Sequence, residues 1–166
     1  MTPDEHTIQE SFLDVGQGHQ LYVQEWGSKR AKTPIIFLHG GPGSGCSDRH
    51  KQVFDPAQHR VIFFDQRGAG RSLPYGSLEH NTTDDLINDI TKLADHLHLK
   101  KFVLMGGSWG SCLALAYALK HPERVPAMVL NGIFTGSQAE VDHINKGGTR
   151  SFFPEVWENF IAATPS

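Results

Sequence analysis

Residues 102–122 read FVLMGGSWGSCLALAYALKHP: an apolar run, a serine flanked by glycines, then a second apolar run closed by proline. The first run suits a short strand buried on both faces. The second suits a helix from about Trp109 to Lys120, which His121-Pro122 ends because proline cannot continue it. Between them, Gly106-Gly107-Ser108-Trp109-Gly110 matches G-x-S-x-G. A serine on a sharp strand-to-helix turn holds its oxygen clear of the sheet. Side chains two residues to either side would collide there, which accounts for Gly106 and Gly110. The helix aims its first N–H groups and its positive end at the same point. A small-residue turn in a tightly packed βα unit is the alternative reading of these letters. The strand before and the helix after favour a nucleophile at Ser108.

Outward from this turn the chain alternates. HTIQESFLDVG (6–16) and HQLYVQEWG (19–27) have roughly alternating apolar positions and end in glycine, as a hairpin does. TPIIFLHGG (33–41) and HRVIFFDQRG (59–68) are short apolar runs stopped by glycine-rich turns, which fits strands buried in a parallel sheet. In NTTDDLINDITKLADHLHL (81–99), Leu86, Ile87, Ile90, Leu93 and Leu97 form one helical face. Thr82 or Thr83 can cap this helix, and Asp84 and Asp85 suit its positive end. PAMVLNGIF (126–134) reads as a further strand. Strands alternating with helices predict an α/β fold, a mostly parallel sheet with an antiparallel N-terminal start. In such sheets ligands sit outside the carboxyl ends of the strands, where the glycine-rich segments after Leu38, Phe64 and Met105 converge.

Composition narrows the function. A chain of 166 residues with net charge −3 gives no electrostatic reason to bind nucleic acid or an acidic membrane surface. The start, MTPDEHTIQESF, has no apolar segment of signal-peptide type, and no run has transmembrane length. Two cysteines, Cys46 and Cys112, are too few for a disulfide framework. These features point to a soluble cytoplasmic protein.

Three more segments carry chemistry or mimic it. His39-Gly40-Gly41-Pro42-Gly43 follows a predicted strand and can present bare backbone N–H groups to an oxyanion, although an ordinary tight turn has the same composition. We pair the N–H of Gly41 with that of Trp109 as the expected oxyanion hole. Gly40 to Ser47 reads G-x-x-x-x-G-C-S, a nucleotide-binding loop in which Cys46 stands where the phosphate-binding lysine belongs. In Asp65-Gln66-Arg67-Gly68, a carboxylate–guanidinium pair between Asp65 and Arg67 is expected to fix the turn, in a structural role. The ten histidines show no metal-ligand spacing; His96-x-His98 sits at a helix C-terminus without a completing cluster.

Together, FLHGGPG, FFDQRGAGRS, NTTDDLINDITKL, GGSWGSCLALAYALKHPERV, VLNGIF and GGTRSFFPEVWENF resemble the prolyl aminopeptidase (proline iminopeptidase) family of α/β-hydrolases, in the family's order and with similar spacing. The resemblance implies hydrolysis of peptides with a free N-terminal proline, without cofactor or metal. It implies Ser108 as nucleophile, Gly41 and Trp109 as oxyanion donors, and Gly40 and Phe134 as substrate-binding residues. It divides the chain into residues 1–135, the N-terminal part of the hydrolase core, and 136–166, the start of a helical cap.

The chain departs from the family at three places. Asn131 stands where the family usually has arginine, and His143, Ile144 and Asn145 stand where it tends to have aromatics. The triad acid and histidine belong on late strands after the serine, and are expected beyond residue 166. Of the histidines after Ser108, His121 lies roughly 20 Å away at helical rise. The other, His143, is adjacent to Asp142, and neighbouring side chains diverge. Two alternatives to an active prolyl aminopeptidase therefore stand: a catalytically inactive fragment or non-catalytic remnant, and a serine esterase with the same elbow. An unpaired last strand is also expected to promote self-association.

Overall fold

The computed structural model describes residues 6–163. The described chain divides between Ile133 and Phe134 into two compact units. The larger unit is a six-stranded sheet: β1 (Thr7–Gly16), β2 (His19–Gly27), β3 (Ile35–Leu38), β4 (Arg60–Phe64), β5 (Val103–Ser108) and β6 (Met128–Ile133), in spatial order β1-β2-β4-β3-β5-β6. β1 and β2 form the expected antiparallel hairpin, and β2 runs antiparallel to β4. The pairs β3–β4, β3–β5 and β5–β6 are parallel.

Alternation along these strands sends side chains to two cores. Ile36, Leu38, Ile62, Phe64 and Leu104 face the helices α1 (Thr83–His96) and α2 (Trp109–Lys120). Phe37, Val61 and Phe63 join Trp26 on the other face. Burial on both faces is why β3, β4 and β5 read as continuous apolar runs. In α1 the predicted apolar face holds, with Leu86, Ile87, Ile90 and Leu93 buried. Thr82 is the cap, its side chain accepting from the Asp85 N–H while the Asp85 carboxylate accepts from the Thr82 N–H.

The turn after β4 differs from expectation. Asp65 does not pair with Arg67. Positive-φ residues Gly68 and Gly70 (φ +68° and +54°) fold the chain back around Asp65, so Arg71 reaches its carboxylate through Nε at 2.8 Å. The Arg71 guanidinium also lies over the Tyr22 ring. Arg67 turns inward to Asp89 of α1 in a bidentate pair, Nε–Oδ2 2.6 Å and Nη2–Oδ1 2.8 Å, and donates to Gln17 Oε1 and the His80 carbonyl. Two residues apart on a tight turn, Asp65 and Arg67 point in different directions, and each finds a partner farther along the chain.

β6 is the outer strand on its side of the sheet, with Val129 50% and Ile133 62% exposed. The smaller unit contains three short helices, α3 (Gln138–Asp142), α4 (Gly148–Phe152) and α5 (Pro154–Ala162), with a π-helical turn at His143–Gly147. Among the described residues no helix is long and apolar enough to cross a membrane.

The Arg67–Asp89 pair, with side chains 1% and 0% exposed, generates a prediction. Arg67→Met leaves Asp89 buried without its cation and is expected to cost about 3–5 kcal/mol, read as a lower urea midpoint. Arg67→Met combined with Asp89→Leu is expected to recover much of that loss. A single variant within about 1 kcal/mol of the parent contradicts the assignment.

Candidate active site

The strand-to-helix turn at Ser108 is built by close backbone approach. Ser108 has φ +53° and ψ −122°, a conformation L-residues adopt only where their surroundings impose it. The surroundings are visible at the two flanking glycines. A Cβ on Gly110 would lie 2.1 Å from the Leu38 carbonyl oxygen, and one on Gly106 would lie 2.2 Å from the Gly110 carbonyl oxygen. The first turn of α2 therefore lies directly against the end of β3. Opposite the turn, β6 carries an irregularity: Gly107 pairs with Asn131 but Ser108 with Ile133, leaving Gly132 at φ +53° as the extra residue. Ser108 is exposed, and its side chain does not cap α2. The Ser111 hydroxyl instead donates to the Ser108 carbonyl at 2.6 Å.

The loop after β3 meets this turn. A Cβ on Gly40 would lie 3.5 Å from Ser108 Cβ and 3.2 Å from the Gly107 carbonyl oxygen, so Gly40 and Ser108 are neighbours. Gly41 follows at φ +117°, and Trp109 is the first residue of α2, where an N–H has no partner within the helix. The structure thus brings together Gly40, Ser108 and Trp109, with Gly41 next on the loop. Phe134, the other expected substrate-binding residue, is the first residue of the smaller unit.

The His39 ring is fully engaged. The Gln66 backbone N–H donates to His39 Nε2 at 2.9 Å, so Nε2 is the acceptor and the proton sits on Nδ1, which donates to the Gly40 carbonyl at 2.8 Å. Burial lowers its pKa below the usual histidine value, with the Gly40 bond pulling the other way. A neutral ring with both nitrogens engaged is no general base. Gln66 reaches further: its side-chain Nε2 donates to the His39 carbonyl and its Oε1 accepts from the Trp109 indole N–H, each at 2.9 Å.

The histidines after Ser108 are also engaged elsewhere. His121 caps the far end of α2 and stacks on Tyr117, ring centroids 4.8 Å apart. In the smaller unit, His143 packs its ring against Gly148, and Asp142 pairs with Lys146 at 2.9 Å rather than with a histidine.

The nucleotide-loop alternative fails on its cysteine. Cys46 donates its thiol to the Phe64 carbonyl and its N–H to Asp65 Oδ1, and burial pushes the thiol far above its ordinary range. Burial also opposes ionisation of Asp65, but hydrogen bonds from Arg71 and the Cys46 amide outweigh it and hold the carboxyl below its usual range. Among the described residues no three His, Cys, Asp or Glu side chains are grouped to hold a metal ion.

Sequence reasoning missed Asp89 and Gln66. Asp89 was findable: it stands three residues after Leu86 and four before Leu93, on the apolar face of α1, where an acid demands a buried cation. For Gln66 nothing in the letters marks the side chain as inward-facing.

Residues 33–165 match the family described as the alpha/beta hydrolase fold. The chain is 46% identical over 165 residues to the proline iminopeptidase of Xylella fastidiosa (strain 9a5c), covering 99% of this chain and 51% of that protein. It is 47% identical over 152 residues to the Neisseria gonorrhoeae proline iminopeptidase, covering 91% of this chain and 49% of that one. The chain thus spans about half the length of the curated relatives it matches. Among solved structures, a proline iminopeptidase-related protein from Thermus thermophilus superposes with TM-score 0.65 at 31% identity, over 74% of this chain and 43% of its own.

The glycine contacts separate two neighbouring substitutions. Gly110→Ala is expected to cost about 3 kcal/mol or more, because the methyl has only β3 backbone to displace. Gly107→Ala, whose Cβ meets only the Asn131 carbonyl oxygen at an ordinary 3.6 Å, is expected to stay within about 1 kcal/mol of the parent. Equal losses in thermal melts would contradict the elbow packing.

Proposed function

The chain belongs to the α/β-hydrolase fold family, and we propose that it carries the nucleophile-bearing half of a serine peptidase of the prolyl aminopeptidase type. The observation that carries this reading is Ser108, exposed at positive φ on a turn that packs against the Gly40–Gly41 loop. In this reading Ser108 Oγ attacks the carbonyl carbon of an N-terminal proline residue, and its proton passes through a base to the leaving amine as the C–N bond breaks. Water then cleaves the prolyl ester, releasing proline and restoring the hydroxyl. The N–H groups of Gly41 and Trp109 stabilise the oxyanion, supported by the positive end of α2. Gly40 contacts the proline, and the family resemblance assigns Phe134 to substrate binding as well. No cofactor is called for, and the peptide is the partner. The work suits the cytoplasm.

The base is a histidine oriented by a carboxylate, both carried on the half of the fold that the relatives have beyond the matched segment. That half continues the parallel sheet from β6, whose exposed Val129 and Ile133 invite pairing. Without it, copies of the chain associate through the same edge. The engagement of His39, His121 and His143 elsewhere favours a second reading, in which these residues alone form a non-catalytic remnant.

The test supplies the missing half. The chain, or its Ser108→Ala variant, is mixed with the C-terminal half of the Xylella fastidiosa relative and offered a fluorogenic proline amide, an N-blocked proline amide and a simple acetyl ester. Expected is hydrolysis of the free prolyl amide alone, lost in Ser108→Ala. Ser108-dependent cleavage of the ester without the amide would replace the peptidase by an esterase. No Ser108-dependent cleavage in a complex shown to form would leave the remnant.

A further inference from the structure

We propose that Gln66 is a positioning residue that locks the two sides of the oxyanion site to each other. The inference rests on the reading of Gly41 and Trp109 as the donors. Those donors come from different elements, the loop after β3 and the head of α2, and an oxyanion hole tolerates only a few tenths of an ångström in their separation. One residue bridges the two. The Gln66 side chain holds the His39 carbonyl with its Nε2 and the Trp109 indole with its Oε1. Its backbone N–H holds the His39 ring, which in turn holds the Gly40 carbonyl.

The chemistry of the partners fixes the side-chain type. A carbonyl can only accept and an indole N–H can only donate, so the bridging group must donate at one end and accept at the other. A primary amide of glutamine length does both. A carboxylate would face the His39 carbonyl with no proton to offer, and a thioether would satisfy neither end. Gln66 is 2% exposed, so water cannot replace what is lost.

The arm that carries the bridge is itself fixed. Asp65 before it accepts from the Cys46 and Arg71 N–H groups, and Arg67 after it is locked to Asp89 of α1. Displacement of the amide would therefore not be absorbed by movement of residues 65–67. It would pass to the loop and to Trp109.

The test uses Gln66→Met, which keeps the length and removes both hydrogen-bonding ends. In the chain assembled with the relative's C-terminal half, kcat is expected to fall about 10- to 100-fold, with KM within about twofold of the parent. Oxyanion stabilisation serves esters and amides alike. The fall is therefore expected on whichever acyl substrate the assembly cleaves, and a wrong peptidase assignment would not mask it.

Nitrogen-15 spectra of the 166-residue chain give a readout independent of turnover. His39 is expected as the neutral Nδ1–H tautomer, and the Trp109 indole proton as slowly exchanging, becoming fast in Gln66→Met. A kcat within about twofold of the parent would overturn the proposal. So would a Trp109 proton indifferent to the substitution, or a His39 protonated on Nε2. Should the variant fail to fold, the tautomer and indole exchange of the parent still decide.

Discussion

The contact on which the site depends is between two backbones. Gly110 at the head of α2 lies so close to the Leu38 carbonyl that no methyl group fits between them. This approach fixes the height of the helix over the sheet and pulls the chain at Ser108 into a positive-φ turn. It also sets the loop after β3 beside that turn. Both glycines of the motif serve the same end, since Gly106 makes room for the Gly110 carbonyl in turn. The strain at Ser108 is held by this backbone packing, not by a capping hydrogen bond from its own side chain to the helix.

Around this turn the polar groups are consumed by structure. Asp65, Asp89, Arg67, Gln66 and His39 are all nearly fully buried, and each has its hydrogen-bonding capacity met by a partner from another part of the chain. The network ties the turn after β4 to α1, to the β1–β2 hairpin through Gln17, and to the loop that presents Gly40 and Gly41. It stiffens the loop and turn beside Ser108 and engages both ring nitrogens of His39. In the proposed reading, these residues hold and polarise the carbonyl, and proton transfer falls to the remaining half.

Much of this was legible in the letters. The hairpin strands and α1 follow from apolar period, and the buried strands and α2 from continuous apolar runs bounded by glycine or proline. The bounds of α2 follow from the glycine elbow at one end and His121-Pro122 at the other. The turn after β4 was harder. Asp65 and Arg67 invite pairing because they are close in sequence, yet Gly68 and Gly70 reverse the chain between Asp65 and its true partner, Arg71. The helical phase of Asp89 carried the missing clue to Arg67. Gln66 was illegible because its role depends on three segments brought together, the loop after β3, the turn after β4 and the head of α2. No spacing within one segment encodes that convergence.

The most direct test of the account asks whether these residues contain a base. A polypeptide of the 166 residues, and its Ser108→Ala variant, would be compared on a fluorogenic proline amide after each is shown to be folded. The account predicts equal, background-level rates for the two. Turnover that disappears in Ser108→Ala would contradict it, because a general base would then lie within this half or arise between copies of it.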